Sequence, residues 1–195
     1  MEQYNRPKMK QEVKQALKGK WLSLFLCLLI YSAISTAGIP ILGIGFLLGT
    51  PLLIGIYSIV LDVLNGKDVD FNKLFSGYKD LNRALNFVLL VLVSSFFIFL
   101  WSLLFFVPGI IAYYRYSQAY YILIDNPNLS FMDAINQSKK MMKNHKWELF
   151  IFDLSFIGHW LLTIITFGIY LVYYGPLIFT SRIRYYQYLN FVQVE

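Results

Sequence analysis

Residues 21–61 read WLSLFLCLLIYSAISTAGIPILGIGFLLGTPLLIGIYSIVL and contain no charged side chain and no histidine. A helix crosses the hydrocarbon core of a bilayer, about 30 Å thick, with about 20 residues, so this stretch is too long for a single span. Gly38-Ile39-Pro40 near its middle supplies a break, because proline is poorly tolerated inside a helix. The stretch therefore predicts two transmembrane helices joined as a hairpin.

Two further apolar regions follow the same pattern. Residues 84–114 are uncharged and are interrupted by Pro108-Gly109. Residues 149–181 carry no acidic, basic or histidine side chain except Asp153 and His159, and Gly168 lies near their middle. We therefore predict an all-α, polytopic membrane protein with six transmembrane helices arranged as three hairpins. The predicted spans are residues 21–37, 41–64, 85–107, 110–124, 147–166 and 169–188.

The basic residues collect in the segments that precede the hairpins. The 195 residues include 17 Lys and Arg, most of which lie before residue 21 or between hairpins, and the predicted hairpin tips are uncharged. Cytoplasmic segments of membrane proteins are enriched in Lys and Arg, so both termini are predicted to be cytoplasmic in a multi-pass plasma-membrane protein. The net charge of +6 is then explained by anionic lipid headgroups rather than by nucleic acid.

Each basic segment also predicts an amphipathic helix at the inner interface, because its apolar residues recur at i, i+3, i+4 and i+7. The apolar faces are Met9, Val13, Ala16 and Leu17; Phe71, Leu74, Phe75, Tyr78 and Leu81, after an N-cap at Asp70; and Phe131, Ala134, Ile135, Ser138, Met141, Met142 and His145, after a capping box of Ser130 and Asp133. The lysines expected to contact anionic lipid are Lys8, Lys10, Lys14, Lys18, Lys139, Lys140, Lys143 and Lys146. The alternative is that these faces pack under the helix bundle.

One amphipathic helix followed by one membrane hairpin thus occurs three times. We interpret the chain as a single transmembrane domain, residues 1–195, with pseudo-repeats at residues 8–64, 70–125 and 130–190.

The motifs of common enzyme classes are missing from the sequence. It has no G-x-S-x-G, no H-E-x-x-H, no P-loop and no Cys-x-x-Cys. Its single cysteine, Cys27, excludes an intrachain disulfide and any zinc site built from several thiolates. We therefore expect a protein without catalytic residues, bound cofactor or metal site.

Five polar residues inside the predicted spans form the candidate site: Arg115, Asp153, Arg182, His159 and Tyr116. A charged side chain in hydrocarbon costs about 2.5–3.5 kcal/mol even on lenient scales, so such residues usually have a purpose. They predict either a site for an ion, a lipid headgroup or a small polar solute, or a charge pair that holds helices together. The depth of Asp153 permits pairing with Arg115 or with Arg182.

Three stretches carry a family resemblance: VPGIIAYYRYSQAYYILIDNPNLS, DAINQSKKMMKNHKWELFIFDLSFIGHWLL and TFGIYLVYYGP, which begin at Val107, Asp133 and Thr166. They resemble an uncharacterised bacterial integral membrane protein family, domain of unknown function 975. The resemblance implies a helical protein of the bacterial plasma membrane and carries over no catalytic residue.

The function predicted first is that of a non-enzymatic membrane protein that handles a lipid or small solute or supports envelope homeostasis. The alternative is a membrane adaptor or immunity-type protein, which would bind a protein partner through its cytoplasmic amphipathic helices. A lipid-modifying membrane enzyme is the least favoured interpretation.

Overall fold

The computed structural model describes residues 5–37 and 44–194, and within these ranges every regular element is a helix. The all-α prediction is therefore confirmed for the described chain. The helices are α1 (Arg6–Ala16), α2 (Trp21–Ala37), α3 (Ile44–Gly49), α4 (Leu52–Leu64), a 3-10 helix (Phe71–Tyr78), α5 (Leu81–Leu104), α6 (Phe106–Tyr116), α7 (Ala119–Asp125), α8 (Phe131–Met141), α9 (Lys146–Leu154), α10 (Ile157–Ile165) and α11 (Leu171–Val194).

Three stretches of the described chain are long and apolar enough to cross a membrane: Leu47–Leu64, Leu81–Leu103 and Lys146–Ile165. A fourth is obtained if α1 and residues Trp21–Thr36 of α2, which meet at 94°, are counted as one bent span. The first predicted hairpin turn, Gly38-Ile39-Pro40, lies outside the described residues. The structure therefore supports a membrane protein by length and composition.

The helices form two compact units. The first, here the N–C unit, consists of the described residues of Met1–Gly77 and Phe152–Glu195. The second, here the central unit, is Tyr78–Ile151.

Helix α1 has the apolar face expected from its sequence. The Asn5 side chain caps the helix by accepting a hydrogen bond from the Lys8 N–H at 3.1 Å. Met9, Val13 and Leu17 are buried, and α1 packs against α4 and α11. This face is therefore part of the interior of the N–C unit.

The second amphipathic segment is a 3-10 helix, so the predicted α-helix is wrong here. Side chains three residues apart align in a 3-10 helix. Leu74 and Gly77 consequently face the N–C unit and are buried, whereas Phe75 and Tyr78 remain exposed. The apolar residues that would share one face of an α-helix therefore lie on two different faces of the 3-10 helix, one buried and one exposed.

The second hairpin turns earlier than predicted. The chain is extended at Phe105, and Pro108 and Gly109 lie within α6. Proline is tolerated in the first turn of a helix because its missing N–H would have no partner there. The break predicted at Pro108-Gly109 is therefore wrong, and it lies at Phe105 instead. Gly109 has a packing role, since a Cβ at this position would lie 2.2 Å from the Ser102 Oγ.

The predicted fourth span, residues 110–124, is interrupted between α6 and α7. Ser138 of α8 bridges this break with its hydroxyl group. It donates a hydrogen bond to the Arg115 carbonyl at 2.9 Å and accepts one from the Gln118 N–H at 3.3 Å. The backbone groups freed by the break are thus satisfied by a buried side chain on a neighbouring helix.

Candidate functional site

Asp153 and Arg182 form a two-point ion pair inside the N–C unit. Arg182 Nη2 lies 2.7 Å from Asp153 Oδ2, and Arg182 Nε lies 3.2 Å from Asp153 Oδ1. The side chains are 15% exposed for Asp153 and 33% exposed for Arg182. Parallel guanidinium–carboxylate bonds of this kind are directional and strong. The structure therefore selects Arg182 as a partner of Asp153 and joins α9 to α11 through this pair.

The ion pair lies next to a break in the fifth predicted span. The helical conformation is interrupted at Ser155 and Phe156, between α9 and α10. Lys10 of α1 reaches this break: its Nζ donates a hydrogen bond to the Ser155 carbonyl at 3.1 Å and lies 3.9 Å from the centre of the Phe156 ring. A cation is favourable at both positions, because a helix end exposes carbonyl oxygens and an aromatic face is electron-rich.

Burial and positive neighbours act on the same lysine. The pKa of Lys10 is lowered, first by loss of hydration and then by the nearby charges of Lys14 and Arg6. Among the lysines predicted to contact lipid, Lys10 thus has its ammonium group directed into the protein. Its role in holding α1 against the α9–α10 break is one that the sequence pattern misses.

We expect Lys10→Met to lower the thermal unfolding midpoint in detergent more than Lys14→Met does. The variant keeps an apolar stem but loses the bond to the Ser155 carbonyl, and a hydrogen bond to a charged donor is worth about 1.5–3 kcal/mol. Lys14 is an exposed residue of the same helix and serves as the control. Equal midpoints for the two variants would show that the bond contributes nothing to stability.

His159 lies among aromatic rings in the N–C unit. Its ring is 6.2 Å from that of Tyr174 at an angle of 29°, 5.8 Å from Phe156 and 6.1 Å from Tyr170. These contacts favour a packing role over ligand binding. Among the described residues, no group of three or more His, Cys, Asp and Glu side chains is arranged to hold a metal ion.

A second ion pair in the N–C unit is one that sequence reasoning missed. Arg184 Nη2 lies 3.1 Å from Glu12 Oε2, and both side chains are 37% exposed. The two residues are far apart in sequence and lie on α1 and α11. Nothing in their local pattern indicates this pairing.

Arg115 and Tyr116, the remaining predicted site residues, belong to the central unit. Tyr116 is buried, and its ring lies 6.2 Å from that of Phe97 and 5.7 Å from Lys139 Nζ. Arg115 has an exposed side chain, while its carbonyl accepts the bond from Ser138. The five predicted residues are therefore divided between the two units.

The lysines predicted to contact lipid are mostly on the protein surface. Lys8, Lys14, Lys18, Lys140 and Lys143 are exposed. Lys10, Lys139 and Lys146 are half-buried. Lys139 donates a 3.1 Å hydrogen bond to the side chain of Asn136, an exposed residue of the same helix.

Comparison with known proteins identifies one family. The model of the family described as Protein of unknown function (DUF975) matches residues 104–192, which confirms the predicted resemblance over that stretch. The match covers α6 to α10 and most of α11. Neither the curated proteins nor the solved structures gave a match.

Proposed function

We propose that this chain is a non-enzymatic integral protein of the bacterial plasma membrane that holds anionic lipid at its cytoplasmic face. Its six apolar segments enter the membrane as three hairpins, and both termini are cytoplasmic. The Asp153–Arg182 pair acts as a packing element in this proposal, because each charge is already met by the other.

The observation that carries the proposal is the exposed apolar surface of α10. This helix has no buried residue, and large apolar side chains at positions i, i+3, i+4, i+7 and i+8 form one exposed face. They include Ile157, Trp160, Leu161, Ile164 and Ile165, each at least half exposed. Water disfavours such a surface, whereas lipid hydrocarbon covers it without loss.

The exposed lysines support the choice of anionic lipid. Lys8 and Lys14 lie off the buried face of α1, and Lys18 follows the end of this helix. Lys140 and Lys143 lie at the end of α8 and just beyond it. Each basic residue near an anionic membrane surface contributes about 1 kcal/mol of attraction at moderate salt. Because the lysines precede apolar segments, they would lie at the level of the headgroups.

Native mass spectrometry tests this proposal. We expect protein released from nanodiscs of mixed phosphatidylglycerol and phosphatidylcholine to retain phosphatidylglycerol preferentially. A variant with Lys8, Lys14 and Lys18 all changed to Gln should lose part of that preference, since the attraction is electrostatic. Equal retention of both lipids by the unaltered protein would contradict the proposal.

An adaptor role is the second candidate, favoured by the exposed aromatic residues of the 3-10 helix. Phe71 is 43% exposed, Phe75 52% and Tyr78 41%, beside the basic residues Lys73 and Lys79. The test is co-purification with the gently solubilised protein. A protein partner recovered in stoichiometric amount, and lost when Phe71 and Phe75 are both changed to Ser, would make the adaptor role the first candidate.

A further inference from the structure

A pocket in the central unit lies between α5 and the break that separates α6 from α7. Its volume is about 320 Å³, within the range of about 300–1,000 Å³ typical of small-molecule sites. None of the described residues that line it carries a charge. They include Ser95 and Phe99 of α5, Tyr113 and Tyr116 of α6, Ser117 of the break and Tyr120 of α7.

The two walls of the pocket lie at the same depth in the proposed membrane arrangement. At a rise of 1.5 Å per residue, Ser95 is about 14 Å along α5 from the end of that helix, and Tyr116 is about 15 Å along α6 from its start. α5 ends and α6 begins on either side of the turn at Phe105. Both positions are therefore near half of the hydrocarbon thickness, which is about 30 Å. Phe99 and Tyr113 are exposed, so the pocket opens sideways toward lipid.

Aromatic contacts hold the tyrosines of the pocket against α5. The ring centre of Tyr116 lies 6.2 Å from that of Phe97, and the ring centre of Tyr120 lies 6.2 Å from that of Phe87. Both phenylalanines belong to α5, whereas the two tyrosines come from opposite sides of the break. α5 thus fixes the position of the chain before and after the interruption.

The break itself forms part of the wall. Ser117 Oγ donates a hydrogen bond to the Tyr114 carbonyl at 2.9 Å and accepts one from Gln118 Nε2 at 3.0 Å, so its hydroxyl hydrogen is engaged within the protein. Irregular backbone at membrane depth is tolerated where it is buried in protein or lines a cavity. Interrupted helices near the bilayer middle commonly form ligand sites.

The Ser95 hydroxyl differs from other hydroxyls on the apolar helices. Ser58, Ser102 and Thr163 each donate to the carbonyl four residues earlier in their own helix, at 3.1, 2.8 and 3.0 Å. Ser95 is exposed on α5, and within the described chain its hydroxyl has no hydrogen-bond partner. A hydroxyl in hydrocarbon without a partner is costly. An acceptor on a bound ligand would remove that cost.

The lining restricts the chemistry of the occupant. An anion or a cation would find no opposite charge in the lining, and Lys139, with Nζ 5.7 Å from the Tyr116 ring centre, disfavours a second cation nearby. An acyl chain would cover the aromatic rings but leave the Ser95 hydroxyl without an acceptor. A neutral, planar, lipid-soluble compound with a carbonyl oxygen meets both requirements, because aromatic rings favour stacked or edge-on packing with another ring.

We propose that this pocket binds a lipid-soluble quinone, whose ring packs among Phe99, Tyr113 and Tyr116 and whose carbonyl oxygen accepts a hydrogen bond from the Ser95 hydroxyl. Binding at this pocket requires that α5 and α6 lie in the membrane. It goes beyond the proposed function, since it is independent of anionic lipid at the cytoplasmic face.

Photolabelling of the full chain in nanodiscs tests the site. An azido-labelled analogue of decylubiquinone is expected to label peptides from residues 95–99 and 113–120, and the labelling should saturate as the amount of the analogue rises. Excess decylubiquinone should prevent this labelling, whereas decan-1-ol, which has a chain of the same length without a quinone ring, should not. Equal protection by decan-1-ol would assign the pocket to acyl chains and overturn the inference.

Substitutions on α5 give a second measurement. Ser95→Ala should weaken quinone binding about fivefold, the effect of losing one hydrogen bond of ordinary net strength. Ser102→Ala is the matched control, because the Ser102 hydroxyl is bound to its own helix and does not line the pocket. Ser95→Phe fills the pocket and should abolish saturable labelling, whereas Leu92→Phe, at an exposed position one turn earlier, should leave it unchanged.

The outcomes are separate from those of the proposed function. If Ser95→Phe, with an unaltered unfolding midpoint, still shows saturable labelling, the pocket is not the site. If labelling of the unaltered protein does not saturate, or spreads evenly over the apolar helices, the quinone only dissolves in the surrounding lipid and the inference fails. Neither result changes the preference for phosphatidylglycerol, which the native mass spectrometry measures independently.

Discussion

Asp153→Asn is expected to lower the free energy of unfolding by about 3 kcal/mol. Removal of one partner of a buried ion pair usually costs about 3–5 kcal/mol, and this value is at the lower end of that range. The substitution leaves the Arg182 guanidinium in a partly buried position opposite a neutral amide. The lower end of the range applies because Arg182 is one-third exposed, so water can solvate part of its charge. Unfolding midpoints in detergent and in nanodiscs measure this effect.

Two companion variants show whether the effect belongs to the pair. Arg182→Gln should destabilise the protein to a similar extent, and the double variant Asp153→Asn/Arg182→Gln should be more stable than the sum of the two losses predicts, because it leaves no unmatched charge. Glu12→Gln is the control in the same unit. Its pair with Arg184 is more exposed, so a change below about 1 kcal/mol is expected. A loss for Asp153→Asn no larger than that for Glu12→Gln would contradict the packing role.

Gly55→Ala is expected to lower the free energy of unfolding by about 3 kcal/mol. This is the upper end of the usual cost of adding a methyl group to a well-packed core. A Cβ at Gly55 would lie 2.1 Å from the Leu74 carbonyl oxygen and 2.5 Å from both the Leu74 carbonyl carbon and the Lys73 carbonyl oxygen. All three are backbone atoms, so a side-chain rotation cannot relieve the overlap. The 3-10 helix must move away from α4, which would expose part of the Leu74 side chain.

Gly158→Ala is the matched control for this substitution. It adds the same methyl group to a glycine within a helix, but apart from the backbone of its own helix and its two chain neighbours, a Cβ there has no heavy atom within 4 Å. Alanine is also the better helix former by about 1 kcal/mol, so this variant should be neutral or slightly stabilised. The yield of monodisperse protein and its unfolding midpoint measure both variants. Similar values for the two would refute the close approach of Leu74 to α4.

The helix boundaries show which features of the fold can be predicted from a few neighbouring residues. The start of α8 follows from its capping box, since the Asp133 N–H donates to Ser130 Oγ at 3.1 Å, as that motif requires. Proline gave a misleading signal at Pro108, because the residue is compatible both with a break and with the first turn of a helix. The breaks at Ser117 and Ser155 had no strong local signal, and contacts from Ser138 and Lys10 stabilise them.

The candidate site was only partly predictable, because local sequence pattern shows which residues are unusual but not which of them meet. Asp153 and Arg182 were recognisable because charge is rare inside apolar segments. Their pairing was one of two geometrically possible choices until the positions of α9 and α11 were known. Glu12 and the inward direction of Lys10 were missed, because both residues belong to a polar segment where charge is ordinary.

The sequence by itself determined the helical class, the apolar segments and the concentration of lysines before them, because periodicity and the absence of charge act over a few turns of one helix. Only the tertiary structure decided which side chains meet. The Asp153–Arg182 pair, the contact of Lys10 with the α9–α10 break and the approach of Leu74 to Gly55 all join different segments of the chain. Their geometry depends on how whole helices pack, and no local pattern encodes that.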